Sequence, residues 1–170
     1  MHFRSAFLSL ALFATLAGCG FHLRGDIRLS PGLTRVRVTS SDSGGPLKTN
    51  IEEALKRSGA TIEQNPGDGI AEVKMTGVGS STSVGSVGTN ARVNEFVMIY
   101  HVDLEITDGA GKVVLPKQAI EQNRRFTFDQ TQAIGTGAEQ DQIQREMVRD
   151  MTQAIVRKID VLERKLNQTP

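Results

Sequence analysis

Glu95-Phe96-Val97-Met98-Ile99-Tyr100-His101-Val102-Asp103-Leu104-Glu105-Ile106-Thr107 decides how this chain folds. Phe96, Met98, Tyr100, Val102, Leu104 and Ile106 fall on one side of an extended backbone. Glu95, His101, Asp103 and Glu105 fall on the other, with Val97 and Ile99 as exceptions. A period of two is the pattern of a strand with one face in a core and one face outside it. At about 3.4 Å per residue such a strand spans about 40 Å, so part of it is expected to run past the helices that cover it.

Asp108-Gly109-Ala110-Gly111 follows as a hairpin turn, and the next strand is expected from Val113 to Phe128. Pro116 near its start suits an edge or a bulge. Phe126 and Phe128 share a face with Arg124; Arg125 and Thr127 take the other. Upstream, Ala71, Val73 and Met75 alternate with Glu72, Lys74 and Thr76, and Gly77 to Gly88 is rich in glycine and serine. No Lys-Ser/Thr follows these glycines, so a pliable strand end and hairpin is expected there and not a phosphate loop. Ala60 to Gln64 is a short strand candidate, and Arg35-Val36-Arg37-Val38-Thr39 alternates as a half-buried strand.

Two helices complete the pattern. Pro46 suits a first turn, Leu47, Ile51 and Leu55 form an apolar stripe with Ala54 beside it, Lys56 and Arg57 end it, and Gly59 suits the C′ position. In the last helix, Ile143, Met147, Met151, Ile155, Ile159, Leu162 and Leu166 recur at steps of three and four. Thr136 and Glu139 have capping-box spacing before it, though Thr131 or a glycine could also cap it, and Asp160 and Arg164 make an i,i+4 pair on its outer side. The methionines fit core packing. The order strand, helix, strands, helix predicts a two-layer α+β domain. Its sheet is expected to have roughly four strands, mixed and mostly antiparallel, with both helices on one face.

The beginning of the chain is an address. Arg4 precedes a mostly apolar run from Ala6 to Ala17, too short to span a bilayer, and Leu16-Ala17-Gly18-Cys19 has the form of a lipobox. Residues 1–18 read as a cleaved lipoprotein signal peptide, 19–32 as a lipidated tether, 33–166 as one domain and 167–170 as a frayed tail. Cys19 is the single cysteine of the sequence, so no internal disulfide is possible, and an acyl anchor on it explains its presence. Gly20 stands where an aspartate would signal inner-membrane retention, which points to the outer membrane.

Composition excludes several function classes. The precursor has 20 basic and 19 acidic residues, and Arg4 is lost with the leader, so the mature charges cancel. A general affinity for nucleic acid needs a basic excess that is absent. Tryptophan is missing and tyrosine occurs once, which leaves few stacking platforms. No metal-ligand spacing or nucleophile motif occurs, and Cys19 is taken by lipid. His101 beside Asp103 on one strand face is a weak acid–base pair, better read as exposed polar residues.

Cys19-Gly20-Phe21-His22-Leu23-Arg24-Gly25 resembles the start of the mature lipopolysaccharide-assembly lipoproteins of the LptE family. In these a lipidated cysteine is followed by glycine, an aromatic residue, histidine, leucine and arginine. The likeness continues in Gly45-Pro46-Leu47, in Glu139-Gln140-Asp141 with Ile143, and in Glu146-Met147. The resemblance implies a non-enzymatic protein of the outer membrane, anchored on its periplasmic side. It would plug the lumen of the LptD β-barrel one to one, assist that barrel's assembly and bind lipopolysaccharide on its way to the surface. It implies no cofactor beyond the N-acyl, S-diacylglycerol lipid on Cys19. An auxiliary lipoprotein of another envelope lipid-transport complex is the alternative. Lipopolysaccharide carries phosphates, which arginine meets with a planar fork of donors, so Arg92, Arg124 and Arg125 are the candidate ligands, with Lys117 weaker. Some members carry a basic residue before the Glu-Gln-Asp sequence; here that loop reads Ala133-Ile134-Gly135-Thr136-Gly137-Ala138, and no site is transferred to it.

Overall fold

The computed structural model describes residues 31–87, 93–127 and 133–168. After a 3-10 turn at Pro31–Leu33, the elements are β1 (Arg35–Ser40), α1 (Pro46–Arg57), β2 (Thr61–Ile62), β3 (Ala71–Val87), β4 (Val93–Thr107), β5 (Val113–Thr127) and α2 (Ala133–Gln168). One mixed sheet has the order β2-β1-β3-β4-β5. β1 runs parallel to both β2 and β3, while β3, β4 and β5 form an antiparallel meander. The α+β class is as the periodicities predict. The sheet has five strands instead of roughly four because Thr61–Ile62, within the short segment expected at Ala60–Gln64, pairs with Arg35 and Val36 at the edge.

Alternation sorts the sheet's two faces. Val36 and Val38 of β1, Ala71, Val73 and Met75 of β3, and Met98, Tyr100, Val102, Leu104 and Ile106 of β4 are all buried on the helix side. They meet Leu47, Ile51 and Leu55 of α1 and Met147, Met151, Ile155, Ile159 and Leu162 of α2 in one apolar cluster. Desolvating each such side chain contributes on the order of 1.5–3 kcal/mol, so this stripe-on-sheet contact dominates stability. Burial of Tyr100, reinforced by Asp42, holds its phenol above the ordinary value.

α1 ends as the sequence predicts. Gly59 has φ 91°, its amide donates to the Lys56 carbonyl, and the Ala60 amide donates to the Leu55 carbonyl, the paired bonds of a Schellman motif. α2 starts elsewhere than expected. It begins at Ala133, so Thr136 and Glu139 lie within the helix and do not cap it. Once nucleated, helical bonds propagate across Gly135 and Gly137 at a cost of about 1 kcal/mol each. Asn167 and Gln168, expected in the frayed tail, are its last residues.

The glycine- and serine-rich stretch is mostly strand. β3 continues through it to Val87, paired with β4, and only Ala71–Met75 also pair with β1. The upper halves of β3, β4 and β5 therefore extend beyond β1 as a three-stranded ribbon. A bulge at Gly77, φ 60°, falls between the Thr76–Asp103 and Gly79–His101 pairs. At the opposite end three loops converge: the Gly69 amide donates to the Gly109 carbonyl and the Gly109 amide to the Gly32 carbonyl. The chain thus enters the domain beside the β4–β5 turn.

Candidate functional site

The sheet face away from the helices carries the charged side chains that alternation turns outward. Along its lower part Arg35 bonds Glu63 at 2.8 Å, Arg37 bonds Glu72 at 2.8 Å, and Thr39 donates to the same Glu72 oxygen. Lys74 faces Glu105 at 4.0 Å. Further up, His101 sits between two carboxylates, with Nε2 3.2 Å from Asp103 and Nδ1 3.1 Å from Glu121. Lys117 reaches Asp103 Oδ2 at 3.0 Å. The hydrogen bond from Lys117, with its charge and that of His101, holds the Asp103 carboxyl below the usual aspartate range. Beyond this cluster Val97 and Ile99, the exceptions to the alternation, lie half-buried on the same face.

This arrangement pairs charge with charge within the sheet. His101 and Asp103 are joined, as their i,i+2 spacing permits, and Lys117 and Glu121 complete the ion-pair group. Among the described residues no group of three or more histidine, cysteine, aspartate or glutamate side chains is disposed to hold a metal ion. No described helix is long and apolar enough to cross a membrane.

Among the described residues, the cations singled out from sequence do not converge. Arg124 projects to the helix side of β5, where its guanidinium bonds the Asp150 carboxylate of α2. Lys117 and Arg125 project to the opposite face, and Arg125 is exposed there opposite Val97. Arg92 lies outside the described residues, as do Cys19 and the Gly20, Phe21, His22, Leu23 and Arg24 signature. Sequence reasoning passed over Asp150, which engages Arg124, and Glu163, which is 1% exposed. Glu163 follows Ile159 by four residues and so falls on the apolar stripe; that spacing was the available signal.

With this geometry the comparisons with known proteins agree. A family model described as "LptE: Lipopolysaccharide-assembly" matches residues 33–159. A protein named LPS-assembly lipoprotein LptE from Photorhabdus laumondii is 27% identical over 152 residues, covering 89% of this chain and 82% of that relative. One of the same name from Yersinia enterocolitica is 30% identical over 156 residues, covering 91% of this chain and 74% of the relative. Among solved structures, the solution structure of an uncharacterized lipoprotein B from Nitrosomonas europaea superposes with a TM-score of 0.67 at 23% identity. It covers 83% of this chain and 90% of its own, and it establishes the likeness of fold. The sheet order, the two helices on one face and the match across most of the domain identify the chain as a member of the LptE lipopolysaccharide-assembly family.

Proposed function

We propose that this chain is a non-enzymatic, outer-membrane lipoprotein of lipopolysaccharide assembly. In this role it sits within the LptD barrel, assists that barrel's assembly and binds lipopolysaccharide during delivery. Family membership across residues 33–159 is the observation that carries the reading. The lipobox ending at Cys19 supports an acyl anchor, and several acyl chains hold a protein durably because each buried methylene contributes about 0.8 kcal/mol. The uncovered sheet face supports a barrel lumen as its setting. On its lower and middle part Arg35, Arg37 and Lys117 are paired with Glu63, Glu72 and Asp103, so a polar wall can approach there without stranding those ions.

The test is affinity purification of the mature, lipidated protein from outer membranes. A large β-barrel protein recovered at close to one per chain is expected. Recovery without a barrel, or with an inner-membrane transporter complex, overturns the reading, and the second result favours an auxiliary lipoprotein of a different lipid-transport system. A Cys19→Ser variant is expected to lose the acyl anchor while its domain still folds.

A further inference from the structure

The groove between the start of β5 and the C-terminal half of α2 has a volume of about 680 Å³, within the ~300–1,000 Å³ usual for small-molecule sites. Val114, Leu115 and Pro116 form one wall, and Val161 and Leu162 form the other. Val161, on the helix wall, is 51% exposed, one of the three exposed large hydrophobics among the described residues. The groove's charged lining is uniformly basic: Arg157, Lys158 and Lys165 border it and no acid does. Lys158 is held over the groove by a 2.9 Å bond to Gln118 Oε1. Arg157 and Lys165 are eight residues apart, about 12 Å along the helix axis.

We propose that this groove binds an acyl chain of a lipid bearing two phosphates, with the phosphates on the Arg157–Lys158 and Lys165 positions. An apolar floor with a cationic rim matches an anionic amphiphile. Two cationic positions about 12 Å apart match a diphosphorylated glycolipid better than a phospholipid with a single phosphate. This assignment rests on the lipopolysaccharide-binding part of the proposed function. It gives that binding a location which Lys117, Arg124 and Arg125, divided between the two sheet faces, do not provide.

The experiment titrates the full mature chain in detergent with purified lipopolysaccharide and compares variants. Arg157→Glu and Val161→Asp both alter exposed positions, and an unchanged unfolding midpoint checks that each variant folds. Each is expected to weaken binding at least tenfold, while Lys117→Gln and Arg125→Gln on the opposite face change it less than twofold. Dephosphorylated lipopolysaccharide is expected to lose the Arg157 effect and keep the Val161 effect. Wild-type binding with no loss in the two groove variants overturns this site and leaves the proposed function standing. Failure of the wild type to bind at all overturns lipopolysaccharide binding itself. Equal displacement by phosphatidylglycerol in the same detergent overturns the requirement for two phosphates.

Discussion

Lys117 Nζ lies 3.0 Å from Asp103 Oδ2 across the β4–β5 pair, so a cation that the sequence offers to a ligand is engaged inside the sheet. The same carboxylate faces His101, and Lys117 is the main reason its pKa falls below the ordinary value. Replacing Lys117 by methionine should raise the Asp103 pKa toward the ordinary aspartate value of about 3.9. A carboxyl NMR titration measures it, and an unchanged midpoint would remove Lys117 as the cause. A lowered folded-state pKa contributes stability that is present at neutral pH. That contribution is lost as pH falls through the folded value, below about 4, and the wild type should lose it more steeply there than the variant. The effect should be small, since Lys117 is well exposed and solvent screens the pair.

The bulge beneath this cluster gives a second test. Gly77 has φ 60°, and a Cβ built there would lie 3.4 Å from His101 Cδ2 and 3.5 Å from Asp103 Oδ2. Gly77→Ala should destabilise the domain by about 1–2 kcal/mol, because an L-residue is strained in the left-handed region. Gly79, two residues on, has open space around its Cβ position and no positive φ. Gly79→Ala should cost little. Urea unfolding of the two variants compares them, and equal costs would mean that the bulge conformation is not what Gly77 supplies.

Phe96 and Phe126 stack across β4 and β5 at a centroid distance of 5.6 Å and an interplanar angle of 24°. They are register partners in the ribbon that extends beyond β1. Phe126 is 4% exposed, so Phe126→Ala should cost about 3–5 kcal/mol. Phe96 is only half-buried and should cost less. Amide exchange after Phe126→Ala should accelerate first in the upper β4–β5 pairs and last around Val73 and Ile106; uniform acceleration would show that the ribbon is not a separate unit.

Legibility in the sequence followed the strength of periodicity. Met98 to Ile106 and Met147 to Leu162 repeat over enough residues to set face, layer and partner at once, and their burial follows the pattern. The Gly77–Val87 stretch was harder, because glycine and serine carry little alternation; pairing with β4 makes it a strand where its own propensity does not. At the start of α2 the capping-box reading failed for a related reason, while the other candidate, Thr131, lies just ahead of the observed start. Thr136 and Glu139 satisfy a local rule, while the helix extends from Ala133 through two glycines that such rules disfavour. Candidate cations could be assigned to faces of β5 by parity, but not to partners. Asp150 is 26 residues from Arg124, and Asp103 meets Lys117 through a neighbouring strand, contacts that no local spacing announces.

Arg124 and Asp150 supply the last prediction, because their pairing separates a structural role from a ligand role. Arg124 ties β5 to α2, and both side chains remain partly exposed, at 45% and 38%. Such a pair contributes about 0.2–1 kcal/mol in water, less at high salt, so Arg124→Ala should be mildly destabilising. A double-mutant cycle with Asp150→Ala should return a coupling energy in that range, which fades in 1 M salt. If Arg124 serves the strand–helix contact, lipopolysaccharide capture by the Arg124→Ala protein should match the wild type once both are folded. A loss of capture that Asp150→Ala does not share would make Arg124 a ligand residue instead. It would then act on the helix side of the sheet, the same side as the groove at Arg157, and apart from Lys117 and Arg125.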